Sequence, residues 1–260
     1  MNCNIKKEVI IISCIPKVIH YCWFGKGKKP NITLKCIESW KQHLPDYEII
    51  EWNEENFDIN LNLYVKQAYT SKKYAFVSDF VRLHVLLKQG GIYMDTDVEV
   101  IKNVDDFLNT SAFCGFESND FISAGIMGCI KGHPWVERLL SYYKDRPFIN
   151  TAGTMELIPN TEVITEITRN EYGLKSGNFT QLLRDDINIF PSEYFCPKNW
   201  LTKELHVTEN TYIIHHFSGS WIPKISLKRK IKERITNMFI MFFGEKKYNE
   251  LRMLVRNPLK

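Results

Sequence analysis

Three features of the sequence predict an α/β fold. A strand over Val18–Cys22, a helix through Leu34–His43 and a second strand over Tyr47–Trp52 follow one another in the order typical of a parallel sheet. Hydrophobic residues at three- and four-residue spacing predict a helix over Lys73–Gln89. A Gly-Gly pair ends this helix, and the apolar strand Ile92–Met94 follows immediately.

The second half of the chain predicts further elements of both kinds. Short apolar runs indicate buried strands over Ala112–Phe116 and Ala124–Cys129, and Tyr212–His215 has the pattern of a last core strand. A proline in the first turn indicates a helix over Pro134–Lys144. A further helix is expected around Ile158–Thr168.

The composition excludes several classes of protein. The chain has 260 residues, of which 44% are hydrophobic and 25% charged, so it is neither disordered nor collagen-like. No apolar run approaches the roughly 18–20 residues of a membrane helix, which argues against a transmembrane protein. The apolar run at residues 9–12 is too short for a signal peptide. Seven cysteines without a CxxC pair favour reduced thiols and a cytoplasmic location.

Charge is distributed unevenly along the chain. The net charge is +4, but residues 224–260 carry 11 Lys and Arg against three Glu. We therefore expect one folded domain over residues 1–223 and a basic helical extension over residues 224–260. Apolar residues at helical spacing in this extension would let it lie on the anionic inner face of the plasma membrane, as a peripheral protein. The alternative is a helix that packs on the domain with its lysines in water.

The sharpest local signal is the acidic pair Asp95 and Asp97. Carboxylates at positions i and i+2 of a regular strand point to opposite faces, so they converge only where the strand ends and the chain turns. Here they follow the strand Ile92–Met94, at the edge where ligands bind in open α/β sheets. Carboxylate oxygens suit Mn²⁺ or Mg²⁺. The alternative is an ordinary surface turn.

Two charged residues interrupt the apolar helix that precedes this strand. Asp79 and Arg82 lie three residues apart and share a helix face, next to Ser78. A charge in apolar surroundings is unfavourable unless it is paired or used by a ligand. An intrahelical salt bridge without a functional role is the alternative.

Aromatic and histidine residues mark two further strand ends. Trp23 follows the first strand, where an indole can stack on a nucleobase, although an aromatic core residue is equally consistent. His215 and His216 follow the last strand, where a neutral imidazole can complete a metal site. Considered alone, these histidines are more consistent with a structural role.

Together, these segments resemble the DXD-containing glycosyltransferases of family 32, which include bacterial capsular and lipopolysaccharide sugar transferases and the yeast initiating mannosyltransferase. The large clostridial glucosylating toxins share the same series. The resemblance is densest between Ile15 and Leu108 and continues loosely through Ser123–Gly128. It rests on Ile15–Gly25, Ser39-Trp40, Pro45–Tyr47, Ala75–Leu83 and Gly90–Val98.

This resemblance implies a GT-A fold, which is a Rossmann-like nucleotide-sugar-binding α/β domain, and assigns roles to individual residues. Asp95 and Asp97 would hold Mn²⁺ or Mg²⁺, and His216 is favoured over His215 as the third ligand. Asp79 and Arg82 would act with the acidic pair in catalysis. The donor site would comprise Trp23, Ser78, Asp79, Arg82, Tyr93, Asp95, Ser220 and Trp221. Glu117, Asn119 and Asp120 follow a core strand and are expected to face the acceptor.

The expected activity is transfer of a sugar, with retention of anomeric configuration, from a nucleotide-sugar donor to a glycan or lipid-linked acceptor in cell-surface polysaccharide synthesis. A UDP-sugar is the favoured donor. The first alternative is a nucleotide-sugar hydrolase that uses the same metal. The second is a non-enzymic protein that binds nucleic acid or membrane through its basic extension, although the acidic balance of residues 1–223 argues against nucleic acid.

Overall fold

The computed structural model describes residues 14–219, together with Thr236, Lys247 and Tyr248. Ser220, Trp221 and nearly all of the basic extension lie outside the described residues. The division at residue 223 therefore stays a prediction. Within the described part, no helix combines the length and the hydropathy needed to cross a membrane.

The described residues alternate between strands and helices along most of the chain. The elements in chain order are β1 (Val18–Cys22), α1 (Asn31–His43), β2 (Glu48–Trp52), α2 (Leu63–Thr70), α3 (Tyr74–Gln89), β3 (Gly91–Met94), β4 (Val98–Val100), β5 (Ala112–Phe116), β6 (Ile122–Cys129), α4 (Pro134–Ser141), α5 (Asn160–Tyr172), β7 (Gln181–Leu183), β8 (Ile187–Phe190), α6 (Ser192–Phe195) and β9 (Ile213–His215). These elements confirm the predicted α/β class.

The central sheet has seven strands in the order β2-β1-β3-β6-β5-β8-β7. The first half, β2-β1-β3, is parallel and forms the Rossmann-like part that the resemblance implies. β6 runs antiparallel to both β3 and β5, because a short turn at residues 117–121 connects β5 to β6 as a hairpin. The sheet is therefore mixed rather than wholly parallel.

The strand directions bring several carboxyl ends to one edge of the sheet. β1, β2 and β3 are parallel to one another, and β5 is parallel to β8. β3 and β5 both run opposite to β6, so they share a direction. The residues that follow β1, β3, β5 and β8 therefore lie along one edge, where α/β proteins bind ligands.

A pair of glycines sets the close approach of α3 to β3. Gly90 has a φ of 73° and Gly91 a φ of 98°, in the left-handed region that favours glycine. A Cβ atom at Gly90 would lie 2.7 Å from the Lys131 nitrogen, and one at Gly91 would lie 2.6 Å from the Val18 oxygen. The helix can therefore pass directly into the central strand.

Hydrophobic side chains cover the sheet on both faces. Val77 and Leu83 of α3 belong to the core on one face, to which α2, α4 and α5 also contribute. Trp40 of α1 and Phe107 belong to the core on the other face. The first core holds α3 against one face of the sheet, and the second core holds α1 against the other face.

A second, two-stranded sheet brings the end of the described domain back to the carboxyl edge of the central sheet. β4 and β9 pair antiparallel, with Val98 opposite His215 and Val100 opposite Ile213. The histidines near residue 215 are thereby placed beside the chain that follows β3, although 118 residues separate Asp97 from His215.

Candidate metal centre

The acidic pair converges at the end of β3. The Asp95 amide donates a hydrogen bond to the Gly125 carbonyl at 2.8 Å, and the Val98 amide donates to the Asp95 carbonyl at 3.0 Å. The second bond closes a turn, so the two carboxylates do not point to opposite faces as they would on a strand. Asp95, Asp97 and His215 each present a ligand atom within 4.8 Å of the others. These three residues are called the Asp-Asp-His cluster below.

Asp97 is the most firmly held member of this cluster. One of its oxygens accepts hydrogen bonds from the Ser218 amide at 2.7 Å and the Ser218 hydroxyl at 2.9 Å. The other lies 3.3 Å from Nε2 of His215. Burial alone would raise the pKa of Asp97, but His215 and Ser218 outweigh burial and hold this pKa below its ordinary value. The carboxylate is therefore ionised and oriented, as a metal ligand must be.

The third member of the cluster is His215, which corrects the preference for His216. His215 ends β9 opposite Val98, with its ring against Asp97. His216 instead lies 2.7 Å from Glu99, which also binds Lys35. Successive residues of an extended chain point in opposite directions, so only one of two adjacent histidines can face the cluster.

Two observations show that the cluster fits a cation. Nδ1 of His215 is buried and has no hydrogen-bond partner among the described residues. The space beside it exists because residue 125 is glycine: a Cβ atom there would lie 2.8 Å from this nitrogen and 3.3 Å from Oδ2 of Asp95. Two carboxylates and an imidazole are a donor set that suits Mn²⁺ or Mg²⁺.

The loop after β9 fixes the histidine ring. Phe217 has a φ of 51°, an unfavourable conformation for a non-glycine residue, and its ring lies 4.1 Å from the His215 ring. This conformation brings Ser218 back onto Asp97.

Arg82 supplies positive charge next to the cluster. Its guanidinium lies 3.0 Å from Asp79 and 3.3 Å from Asp95, and it also donates to the Ala124 carbonyl. The cation stacks over the Tyr93 ring at 4.5 Å. Burial opposes its charge, but these neighbours outweigh burial and raise the pKa of Arg82. A permanent cation therefore lies beside the cluster.

Asp79 is a carboxyl group in an unfavourable environment. Burial and the charge of Asp95 raise its pKa to about 6, although Arg82 lowers it. Functional sites and structural ion-pair networks both shift carboxyl pKa values in this way, so the role of Asp79 stays a prediction. The predicted salt bridge between Asp79 and Arg82 is present, and it extends to Asp95.

The remaining donor-site candidates lie close to this centre. Tyr93 donates its hydroxyl to Asp95 at 3.0 Å. Ser78 lies one helical turn before Arg82, half-buried, and its hydroxyl donates to the Tyr74 carbonyl. Their roles in donor binding stay predictions, as do those of Ser220 and Trp221, which lie outside the described residues.

Trp23 lies at the same edge, after β1. The indole is half-buried, and its nitrogen donates to the Gly27 carbonyl at 2.7 Å. The ring packs against the core, and the Lys29 ammonium lies 5.6 Å from its centre. The base-stacking role of Trp23 stays a prediction.

The acceptor candidates divide into two groups. Glu117 and Asn119 line a cavity of about 240 Å³ further along the edge. Asp120 is not among its lining residues; its carbonyl accepts a hydrogen bond from Arg169 at 2.9 Å. This contact involves only the backbone of Asp120, so the acceptor roles of Glu117, Asn119 and Asp120 stay predictions.

Sequence reasoning missed Gly125 and the part that Ser218 plays on Asp97. Both lay in segments that the resemblance already included. A glycine inside an otherwise apolar strand is itself a signal, because it marks a close approach of another group.

We expect Gly125→Ala to abolish the response to metal. The new methyl group would lie 2.6 Å from Cε1 of His215 and displace the ring from the cluster. Thermal denaturation with Mn²⁺ and with EDTA measures this: the wild type should be stabilised by Mn²⁺ and the variant should not. Gly128→Ala is the matched control, since its methyl group meets only the Phe113 ring. It should lose about 1–3 kcal/mol from overpacking yet keep the Mn²⁺ response. An Mn²⁺ response in Gly125→Ala equal to that of the control would contradict the site.

The fold and the cluster together define an α/β protein with a candidate divalent-cation site at the carboxyl edge of its sheet and a buried arginine beside it. Residues 30–114 match the family model described as "Glycosyltransferase sugar-binding region containing DXD motif". The match covers about a third of the chain and agrees with the resemblance seen in the sequence. The DXD motif of the family is the Asp95–Asp97 pair.

Two fungal relatives have names that refer to a mannosyl group. Inositol phosphoceramide mannosyltransferase 3 of Schizosaccharomyces pombe is 32% identical over 135 residues, which are 48% of this chain and 36% of that protein. A mannosyl phosphorylinositol ceramide synthase of Saccharomyces cerevisiae is 30% identical over 154 residues, 52% of this chain and 38% of that protein. The chain thus spans little more than a third of these two relatives.

One viral relative matches over nearly its whole length. An uncharacterized glycosyltransferase of Acanthamoeba polyphaga mimivirus is 26% identical over 245 residues, 87% of this chain and 92% of that protein. Among solved structures, the PaToxG glycosyltransferase aligns with a TM-score of 0.46 and 19% identity, over 61% of this chain and 70% of that one.

Proposed function

We propose that this chain is a metal-dependent glycosyltransferase that moves a hexose from a nucleoside-diphosphate sugar to a glycan or lipid-linked acceptor. The observation that carries the proposal is the Asp-Asp-His cluster, with Arg82 against Asp95. Such a combination of a cation site and a fixed cation suits a diphosphate, which bears negative charge that grows as the sugar leaves.

In this proposal, different residues hold the metal, stabilise the diphosphate and bind the base. Asp95, Asp97 and His215 would hold Mn²⁺ or Mg²⁺, which when bound neutralises the diphosphate. Arg82 stabilises the same charge from the protein side, and Tyr93 and Asp79 keep Arg82 and Asp95 in place. Trp23 would stack on the base. Preorganised charges of this kind contribute on the order of several kcal/mol to catalysis.

The proposed reaction retains the configuration of the sugar. The bond between the anomeric carbon and the diphosphate oxygen breaks, and its electron pair stays on the diphosphate. The acceptor hydroxyl forms the new bond from the same face, and its proton passes to a diphosphate oxygen. The protein supplies no covalent nucleophile in this scheme.

The donor is best identified by thermal shift. The family resemblance favours a UDP-sugar, whereas two relatives are named for mannosyl transfer. We therefore expect one of UDP, GDP, UDP-glucose, UDP-galactose or GDP-mannose to raise the Tm selectively, and only when Mn²⁺ is present. Equal stabilisation by all of them, or by none, would contradict the proposal.

An activity assay separates this function from hydrolysis. A transferase forms a glycosylated product when an acceptor is supplied, while a hydrolase releases free sugar at the same rate with or without one. Faster donor turnover without any glycoside product would favour the hydrolase.

We also propose that the glycosylated product becomes part of a cell-surface polysaccharide.

Trp23→Leu is expected to weaken binding of the nucleotide without changing the metal response. Stacking of a base on an aromatic ring contributes about 1–3 kcal/mol, so the Kd for the nucleotide should rise by about 5- to 100-fold. Isothermal titration with Mn²⁺ and the nucleotide measures the Kd. The stabilisation by Mn²⁺ alone serves as the internal control and should equal that of the wild type. An unchanged Kd would remove Trp23 from the donor site.

We further propose that the protein acts in the cytoplasm, at the inner face of the plasma membrane. What supports this is the excess of basic residues over residues 224–260. Flotation of the full chain with anionic vesicles, compared with a chain that ends at residue 223, tests it. Equal flotation of the two chains would leave the extension without a membrane role.

A further inference from the structure

A cavity of about 240 Å³ lies along the same carboxyl edge as the metal centre. Its walls come from the turn after β5, from the segment 192–199 that begins with α6, and from residues 206 and 208. β5 and β8 are parallel and end here, as β3 ends at the acidic pair. The cavity and the metal centre are therefore neighbours on one edge, separated by the start of β6.

One residue connects the cavity to the strand that ends at the metal centre. Cys196 lines the cavity and belongs to the same buried core as Ile213 of β9. α6, which immediately precedes Cys196, packs against β9, which ends with His215. A molecule in the cavity would thus lie beside the strand that ends at the cluster.

The lining of the cavity is rich in groups that bind hydroxyls. Carboxylates and side-chain amides recur around it, and these accept from and donate to the hydroxyls of a sugar. These side chains are Glu117, Asn119, Asn178, Glu193 and Asn199. Lys198 and His206 also line the cavity, so its charge is mixed rather than strongly positive.

Several of these groups are held in place by hydrogen bonds. Glu193 accepts from the hydroxyl of Thr208 at 2.9 Å, and Asn178 accepts from the Ser192 amide at 2.7 Å. The backbone carbonyl of Asn119 accepts from the Gly177 amide at 2.9 Å, which fixes the turn that carries this residue. The wall formed by Asn178, Ser192, Glu193 and Thr208 is therefore preformed. The volume of the cavity lies slightly below the roughly 300–1,000 Å³ of pockets for drug-sized ligands, which suits a single sugar ring.

We propose that this cavity binds the acceptor, and that the part of the acceptor bound there is a neutral, hydroxyl-rich sugar ring rather than a phosphorylated headgroup. The two carboxylates, Glu117 and Glu193, would repel a phosphate and accept from sugar hydroxyls. This proposal rests on the transferase function proposed above and specifies the chemical class of its acceptor.

The test compares transfer with hydrolysis in cavity variants. Asn119→Ala and Glu193→Gln are assayed for transfer to octyl α-mannoside and octyl β-galactoside, and for donor hydrolysis without an acceptor. We expect the KM for the better glycoside to rise about tenfold in each variant, as for the loss of one or two hydrogen bonds. Hydrolysis of the donor should stay unchanged, since water needs no cavity. Asn170→Ala, on the exposed face of α5, is the matched control and should match the wild type in both assays.

A second arm replaces the glycoside with glycerophosphoinositol. Turnover of this anionic acceptor below that of the glycosides supports the neutral class, and better turnover overturns it. An unchanged KM for the glycosides in both cavity variants also overturns the proposal. Both outcomes differ from a failure of the proposed transferase function. That failure would appear as an absence of Mn²⁺-dependent donor binding in the wild type.

Discussion

Asp97→Asn is expected to reduce sugar transfer by at least about 100-fold, because the variant removes a charged ligand from the Asp-Asp-His cluster. It should also reduce stability. The carboxylate accepts two hydrogen bonds from Ser218 and lies against His215, and an amide at this position accepts more weakly and carries no charge. We expect a loss of about 1–3 kcal/mol in the free energy of unfolding without metal.

The pH dependence of this loss follows from the direction of the pKa shift. The pKa of Asp97 is lower in the folded protein than the ordinary value near 4. Its stabilising effect is therefore fully present above pH 4 and is lost as pH falls through the folded pKa. Urea denaturation at pH 7 should show the full difference between wild type and variant, and the difference should shrink at pH 3. A difference that grows at acid pH would contradict this account.

Glu99→Gln is the matched control for Asp97→Asn. Glu99 lies two residues further on, binds Lys35 and His216, and does not belong to the cluster. Lys35 is largely exposed, but the Glu99 carboxylate is mostly buried and also bonds His216, so we expect its loss to cost about 1–2 kcal/mol of stability, comparable to the loss in Asp97→Asn. The control should keep both transfer and the Mn²⁺ response. Equal loss of transfer in the two variants would mean that the cluster has no special role.

The elements that the sequence predicted best are those whose pattern is local. The strand Val18–Cys22 and the strand Ala112–Phe116 match the structure at both ends, and α3 differs by one residue. Each has a continuous apolar pattern bounded by proline, glycine or charged residues. The reversal of β6 depends on which strand it pairs with, and no local pattern specifies that.

The site was predictable where sequence neighbours also meet in space. Asp95, Asp97 and Tyr93 lie on one strand end, and Asp79 and Arg82 on one helix face, so local spacing sufficed. The choice between His215 and His216 depended on the register of β9 against β4, which is a pairing between distant segments. Local pattern cannot fix such a register.

Arg82→Lys is expected to have the other large effect, on both stability and transfer. The guanidinium contacts Asp79, Asp95 and the Ala124 carbonyl in different directions, and it lies flat on Tyr93. A lysine ammonium has no planar fork and cannot keep all these contacts, so buried acceptors lose their partner. We expect unfolding to become easier by about 2–4 kcal/mol and transfer to fall by at least about 100-fold. Urea denaturation and the transfer assay measure the two effects.

The control for this substitution is a second arginine that is paired with a carboxylate. Arg138 on α4 binds Glu171 of α5 through Nε at 2.8 Å and through a terminal nitrogen at 2.5 Å, and this pair is much more exposed than Arg82. Arg138→Lys should therefore change stability by less than about 1 kcal/mol and leave transfer intact. Since both variants exchange the same two side chains, the contrast isolates burial and the neighbouring cluster as the cause. If Arg82→Lys behaved like Arg138→Lys, the leaving diphosphate would have to be stabilised without the guanidinium, and the division of charge between Arg82 and the cluster would be wrong.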